Sequence, residues 1–167
     1  MTFDDITGSK KLWSVRLEGE EDNEFLKLFY DWSDVIWLRS FFKENINDLS
    51  AYFKITDINQ AIKDTIEDSK RLRCVIMDIS PASDFMLQKE KARLKRTIRH
   101  SSWLRLYAIK LTPGVYIITG GAIKLTATMQ EREHTRKELV KMDKVRRYLL
   151  EENIIDDDGF IDYMSEL

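Results

Sequence analysis

The chain has 167 residues, 43% hydrophobic and 34% charged, a composition typical of one folded domain rather than a disordered segment. Its single cysteine excludes an intramolecular disulfide framework, and its N-terminus lacks a secretory signal pattern. No apolar run approaches about 18 residues. We therefore expect a cytoplasmic protein without a membrane span. The net charge of −2 is divided into blocks, with −6 over residues 1–88, +11 over 89–150 and −7 over 151–167, and the central block can attract a polyanion.

The first half of the chain predicts one strand followed by helices. Leu12–Leu17 alternates apolar and polar residues, as a half-buried strand does. From Asn23 the apolar spacing becomes helical. Ser33 or Asp34 can cap a second helix, whose apolar stripe is expected to run from Val35 to Ile46, and Asp57 precedes a third. We assign the aromatic and aliphatic residues of these helices to the core.

The second half predicts a three-strand antiparallel meander after a basic segment. The strands are expected at Trp103–Leu111, Val115–Thr119 and Ala122–Thr126. Thr112–Gly114 is expected to form the first turn. Gly120 and Gly121 are expected to form the second, because glycine accepts positive φ. The basic segment before the meander, Lys89–Arg99, is predicted to form either a helix or an exposed arm.

The order of elements predicts an α+β fold with a small antiparallel sheet, made of the N-terminal strand and the three-strand meander and packed by several helices. Residues 1–153 are expected to form one domain, with an acidic strand-and-helix part over 1–88 and the basic meander and C-terminal helix over 89–153. That last helix is predicted over Glu131–Glu152. Residues 154–167 are expected to form an acidic tail.

A constellation of basic and aromatic residues on the meander is the strongest candidate site. Trp103, Arg105 and Tyr107 alternate along the first predicted strand and should share one face. An aromatic ring beside an arginine can stack a base while the arginine holds a phosphate. The alternative is that Trp103 and Tyr107 pack under a helix.

Histidine is scarce, with only His100 and His134, and neither has a partner at ligand spacing, so we predict no metal site. Glu131, Glu133 and His134 are capable of proton transfer at the start of the last helix. The alternative for the two acids is ordinary stabilisation of the helix N-terminus. The chain has no Walker loop, nucleophile elbow or dinucleotide fingerprint, so no small-molecule cofactor is expected.

One part of the chain resembles a known family. Trp103–Leu149 contains W-L-R-L-Y-A-I-K-L-x-P-G-V-Y-I-I-T-G-G-A-I-K-L-T followed by a helix with K-E-L-x-K-x-x-x-V-R. This stretch is similar to the RelE/ParE superfamily of toxins of type II toxin–antitoxin systems, and most of all to its HigB-like, phage-derived branch. The chain would be a long form with an N-terminal helical extension, because its first 90 residues exceed those of a typical member.

The resemblance implies a toxin that cleaves mRNA, commonly on the ribosome, and is held off by an antitoxin of helix-turn-helix type. Such enzymes need no metal, because the RNA 2′-hydroxyl attacks the adjacent phosphate while cations stabilise the transition state. The implied catalytic residues are Arg105 for the phosphate, Lys124 for charge neutralisation or assistance to the 2′-hydroxyl, Tyr107 as the strand aromatic and His134 as a general acid. The implied RNA-binding residues are Lys95, Arg96, Arg99 and Arg132.

Two alternatives remain open at this stage. ParE-like relatives inhibit DNA gyrase without cutting RNA, so the target could differ on the same fold. The chain could also be a non-enzymatic interaction protein of the same fold, in which the acidic flanks cover the basic meander. One observation supports the second alternative: the paired lysines of the family appear here as Ile123-Lys124, with one lysine missing.

Overall fold

A computed structural model describes residues 1–78, 102–126 and 132–166 of the chain. In these ranges the strands are β1 (Thr2–Asp5), β2 (Leu12–Arg16), β3 (Leu104–Leu111) and β4 (Val115–Ile123). The helices of the same ranges are α1 (Glu24–Asp31), α2 (Val35–Glu44), α3 (Ile46–Phe53), α4 (Ile58–Asp78), α5 (Glu133–Glu151) and α6 (Asp157–Ser165). No helix in these ranges is both long and apolar enough to cross a bilayer. The predicted RNA-binding residues Lys95, Arg96 and Arg99 lie outside the described residues.

The sheet is mixed, with strand order β1-β2-β4-β3. β1 pairs with β2 and β3 pairs with β4 in antiparallel fashion, whereas β2 and β4 are parallel. The predicted α+β class, a small sheet packed by helices, is confirmed. The prediction of an entirely antiparallel sheet is wrong, because the helices between β2 and β3 return the chain so that β4 runs alongside β2 in the same direction.

The third strand of the predicted meander does not exist. β4 continues through Gly120 and Gly121 to Ile123 and pairs with β3 from Leu111↔Val115 to Leu104↔Ile123, with one register shift between Tyr107 and Ala108. Neither glycine has a positive φ, so the pair forms no turn. Because these two residues have no side chain, neighbouring groups can approach β4 closely at these positions.

The sheet is covered on both faces, and each face has its own hydrophobic cluster. The first cluster joins α1–α4 to the sheet and contains Trp32, Phe42 and Ile118. The second joins α5 and α6 to the opposite face and contains Val15 and Ile117. Because Ile117 and Ile118 point to opposite sides, β4 is buried on both faces, which explains its continuous apolar sequence.

Helix starts follow the sequence closely, but helix ends do not. Asp34 caps α2 by accepting hydrogen bonds from the backbone N–H groups of Ile36 and Trp37 at 3.0 and 3.4 Å, as predicted. We expected the apolar stripe of α2 to continue to Ile46, but α2 ends at Glu44 and α3 begins at Ile46. The intervening Asn45 leaves helical geometry with φ −114° and ψ 22°, and the chain changes direction there.

Trp103 belongs to the core and does not share a face with Arg105. It lies just before β3, so strand alternation does not apply to it, and its side chain is fully buried in the first cluster. Its Nε1–H donates to Oγ1 of Thr65 at 2.9 Å, and Phe42 and Phe53 pack edge-on against its ring. The interpretation of Trp103 as a base-stacking residue is therefore replaced by a packing role.

The segment that we set apart as an acidic tail contains α6, which packs onto the sheet. Phe160 is fully buried and makes edge-to-face contacts with Phe3 and Trp13, with ring centroids 5.2 Å apart in both cases. The hydroxyls of Tyr148 on α5 and Tyr163 on α6 are hydrogen-bonded, and this bond raises the pKa of Tyr148 to about 12. The acids of this segment lie on an amphipathic helix whose apolar face completes the second cluster.

Truncating Phe160 tests the contribution of α6 to the domain. We expect Phe160→Ala to lower the free energy of unfolding by about 3–5 kcal/mol, because it removes a buried ring and leaves a cavity. Ile155→Ala is the matched control, since Ile155 is 75% exposed, and should change stability by less than about 0.5 kcal/mol. Urea denaturation measures both values, and equal losses in the two variants would contradict the packing of α6.

Candidate active site

A cavity of about 260 Å³ lies where α1, α2 and α5 meet the second half of β4. It exists because β2 pairs with β4 only as far as Ser14↔Ile118. Beyond that point the β2 side of β4 is bordered by helices, and Gly121, Ala122 and Ile123 form the floor of the cavity. We call this cavity the β4 cleft.

Charged residues join the two helical layers across the β4 cleft. Nζ of Lys141 on α5 lies 3.0 Å from Oε2 of Glu24 on α1, and the same ammonium contacts Glu138 at 3.0–3.1 Å. Glu24 is almost fully buried, with 3% of its side chain exposed, and also contacts Lys27 at 3.3 Å. Its charge is therefore compensated on both oxygens, as a buried carboxylate requires.

Two other carboxyl groups of the β4 cleft have raised pKa values. Burial raises the pKa of Glu138, and Glu24 adds to this effect, while Lys141 opposes it. Burial also raises the pKa of Asp31, to which the neighbouring Asp34 contributes. Raised carboxyl pKa values in a cavity are typical of groups that hold or transfer a proton.

His134 lies one helical turn before Glu138, on the same side of α5. Its Nε2 is 2.9 Å from the carbonyl oxygen of Ile123. Because a carbonyl can only accept a hydrogen bond, Nε2 carries the proton in this contact, and in the neutral ring Nδ1 keeps its lone pair. The edge of the imidazole packs against Phe41 at a centroid distance of 5.2 Å. In the neutral ring, Nδ1 of His134 can therefore accept a proton or a hydrogen bond.

Arg132 ties the start of α5 to α3. Its guanidinium donates to both carboxylate oxygens of Asp48, each at 2.7 Å. The bidentate contact lowers the pKa of Asp48. Arg132 is therefore engaged in a structural ion pair that positions the first turn of α5, where His134 lies.

Arg105 and Tyr107 lie on the α5 side of β3, and the charge of Glu138 on α5 acts on Tyr107. The exposed Arg105 donates from Nη1 to the carbonyls of Ser102 and Leu104 at 2.7 and 2.8 Å. The Tyr107 hydroxyl is buried and makes no hydrogen bond with any described residue. Burial raises the pKa of this hydroxyl, the positive charge of Arg105 lowers it, and the negative charge of Glu138 raises it. Glu138 is thus close to Tyr107 and also lines the β4 cleft.

Of the four predicted catalytic residues, only His134 lines the β4 cleft. Lys124 follows β4, is half-buried and donates its backbone N–H to the carbonyl of Trp103 at 2.8 Å. The strand that was expected to carry Lys124 is absent. Tyr107 is connected to the cleft through the charge of Glu138, a residue that was not predicted from the sequence. Arg105 instead donates hydrogen bonds to the carbonyls of Ser102 and Leu104. The signal for Glu138 was its spacing of four residues from His134.

The two glycines of β4 give the helices access to the strand. A Cβ atom on Gly120 would overlap the Glu138 carboxylate. A Cβ atom on Gly121 would lie 2.5 Å from the backbone oxygen of Arg105 and 2.9 Å from a methyl carbon of Leu28. Both approaches are closer than a side chain permits, so the geometry of the β4 cleft depends on these two positions.

No protein-family model, curated protein or solved structure matches this chain. Within residues 1–78, 102–126 and 132–166, no group of three or more His, Cys, Asp or Glu side chains is arranged to hold a metal ion. The case for a function therefore depends on the residues of the β4 cleft themselves.

Alanine substitutions test the glycine positions. Gly121→Ala should lower the free energy of unfolding by about 1–3 kcal/mol, because the new methyl meets backbone. Gly120→Ala should cost less, since the Glu138 carboxylate can rotate away. Gly114→Ala is the control, with its nearest contact at 3.8 Å, and should be nearly neutral. Urea denaturation gives the three values, and equal stability of the first and third variants would contradict the close approach.

The ion pair of Arg132 and Asp48 predicts a pH dependence of stability. Because the folded-state pKa of Asp48 lies below its ordinary value of 3.8, the pair stabilises the fold above that pH and its contribution is lost as the pH falls below it. Asp48→Asn should cost about 1–2 kcal/mol at pH 7, a figure limited by the 41% exposure of Arg132. The difference from wild type should shrink below pH 4 in urea titrations. Asp22→Asn, at an exposed site, should show no such convergence.

Proposed function

We propose that the protein is a metal-independent endoribonuclease, the toxin of a RelE/HigB-like toxin–antitoxin system, with His134 and Glu138 as its proton-transfer pair. The observation that carries this proposal is the location of both residues in the β4 cleft, one helical turn apart. One has a free basic nitrogen fixed by its other hydrogen bond, and the other has a raised pKa caused by burial. Such a separation of acid and base roles is the requirement of general acid–base catalysis.

The proposed reaction is transesterification within the RNA. Nδ1 of His134 removes the proton of a 2′-hydroxyl, and the 2′-oxygen forms a bond to the adjacent phosphorus. The bond from phosphorus to the 5′-oxygen breaks, and Glu138 gives its proton to that oxygen. The products are a 2′,3′-cyclic phosphate and a free 5′-hydroxyl. In this scheme His134 is the base and Glu138 the acid, whereas the sequence resemblance implied His134 as the acid.

Cations near the β4 cleft support the same chemistry. Lys141 lies within 3.1 Å of Glu138 and can stabilise negative charge on the phosphate. The positive charge of Arg105 lowers the pKa of Tyr107, whose hydroxyl is also affected by the charge of Glu138. The outer surface of α5 carries further exposed cations, and these could attract the RNA backbone. They are Arg136, Lys137, Lys144, Arg146 and Arg147.

The cellular context follows from the sequence resemblance and belongs to the proposal. The toxin would act in the cytoplasm on mRNA, in association with ribosomes, and a helix-turn-helix antitoxin would hold it inactive. Lys95, Arg96 and Arg99 would contribute RNA contacts. Inhibition of gyrase is the alternative target, and DNA damage with intact mRNA on expression would select it.

A non-enzymatic interaction protein is the second candidate, favoured by exposed apolar side chains on adjacent helices. Tyr30 on α1 is 71% exposed and Ile36 on α2 is 83% exposed, and Leu26 lies one turn before Tyr30. Exposed apolar side chains are typical of a docking surface when they are contiguous. A protein that binds a partner through this surface would not need the proton-transfer pair.

The test is cleavage of mRNA by the purified chain, with and without ribosomes. His134→Gln and Glu138→Gln should each reduce the cleavage rate by about 100-fold or more, because each removes one proton-transfer group. The matched control is Glu133→Gln, since Glu133 lies in the same turn of α5 and is 76% exposed. This variant should cleave at the wild-type rate.

Circular dichroism and thermal denaturation of the same variants separate loss of chemistry from loss of fold. Folded His134→Gln and Glu138→Gln proteins without activity support the proposal. If the wild-type chain cuts no RNA in either condition, or if the two variants cut as fast as wild type, the endoribonuclease proposal is wrong.

A further inference from the structure

We propose that the β4 cleft binds a guanine base, stacked on Trp37 and held by the carboxylate of Asp31. The inference rests on the proposed function in taking RNA as the source of the base. Both residues belong to the N-terminal helices, outside the stretch that resembles the toxin superfamily. They line the same cavity as His134 and Glu138.

An aromatic platform stands at the mouth of the β4 cleft. The rings of Trp37 and Phe41 on α2 are nearly parallel, at 13°, with centroids 5.7 Å apart. Phe41 supports one side of Trp37, and the indole remains 36% exposed. A large aromatic ring that is fixed in orientation and still exposed offers a stacking surface to a nucleobase.

Asp31 supplies the polar group beside this platform. It is the last residue of α1, and its carboxylate makes no hydrogen bond with a described residue. The carboxylate of the neighbouring Asp34 differs in that it accepts a backbone hydrogen bond and caps α2. A half-buried carboxylate without donors is suited to a ligand that brings N–H groups into the cavity.

Guanine is the base that matches a carboxylate best. Its Watson–Crick edge presents two adjacent donors, N1–H and N2–H, which can bond the two oxygens of one carboxylate. Adenine and cytosine each place a ring-nitrogen acceptor next to their amino group, and uracil places carbonyl oxygens on both sides of its N3–H. Each of these would bring a lone pair against the second oxygen of Asp31.

The platform also leads toward the proton-transfer pair. Trp37 contacts Phe41, and Phe41 contacts the imidazole of His134 at a centroid distance of 5.2 Å. Because Trp37, His134 and Glu138 line the same cavity, a base stacked on the exposed face of Trp37 would lie in the β4 cleft with the proton-transfer pair. The selection of guanine would fix which phosphate of the RNA is presented.

The experiment measures binding of GMP, AMP, CMP and UMP, which the proposed reaction cannot cleave, to the full chain by equilibrium dialysis. We expect GMP to bind about tenfold or more tightly than the other three, since a bidentate contact discriminates by that factor. Quenching of tryptophan fluorescence should accompany binding. Trp13, Trp32 and Trp103 are at least 94% buried, so Trp37 is the tryptophan most accessible to the ligand.

Variants separate stacking from recognition. Asp31→Asn should remove most of the preference for GMP, because the amide replaces one acceptor with a donor. Trp37→Leu should weaken all four nucleotides by a similar factor, about fivefold or more, whereas Trp37→Phe should bind nearly as wild type. Asp22→Asn, at an exposed acid outside the cleft, should leave both affinity and preference unchanged.

The outcomes for this inference and for the proposed function are distinct. Selective GMP binding that depends on Asp31 and Trp37 supports the guanine site even if the protein cuts no RNA. Equal binding of the four nucleotides, or binding that survives in both Asp31→Asn and Trp37→Leu, overturns the guanine site even if RNA is cut.

Discussion

The close packing of helices against β4 at Gly120 and Gly121 is the constraint on which the rest of this structure depends. Glu138 lies directly over Gly120, and Leu28 of α1 lies over Gly121. With both helices this near the strand, Lys141 can reach Glu24 on the other side of the sheet. The burial of Glu138 and the position of His134 follow from the same approach, because both side chains are carried by α5.

Local sequence signals predicted much of the fold. The cap at Asp34 and the turn at Thr112–Gly114 depend on neighbouring residues, and the structure confirms both. The short strand β1 was missed because its sequence, TFDD, has two acids and no clear alternation. It is stabilised by pairing with β2 and by Phe3 in the second cluster, which are contacts distant in sequence.

The wrong prediction of a turn at Gly120 and Gly121 has a physical cause. Two adjacent glycines after a β-forming run favour a turn when only local preferences are considered. The same residues are equally required where other chain segments approach a strand closely, and nothing within the sequence of β4 distinguishes the two cases. The parallel pairing of β2 with β4 was unpredictable for the same reason, since it is decided by how the intervening helices pack.

The candidate site was predictable only in part. His134 stood out because histidine is scarce, and Arg105 and Tyr107 because they alternate on a strand. Glu138 was hidden among the charges of a highly charged helix, since i,i+4 spacing alone does not tell which acid faces inward. Asp31 and Trp37 come from helices that the apolar pattern assigned to the core, and only the three-dimensional arrangement places them beside α5.

The packing of Phe160 against Phe3 and Trp13 has a consequence for the order in which the protein matures on the ribosome. The first cluster uses residues up to Leu125, so it can close while α5 and α6 are still inside the exit tunnel. The opposite face of the sheet, with Val15 and Ile117, is first covered by Val145 and Leu149 of α5, and its cluster is complete only when Phe160 has emerged. His134 and Glu138 also arrive late, on α5. The nascent chain would therefore expose one apolar face of the sheet until α5 and α6 have been synthesised and can cover it.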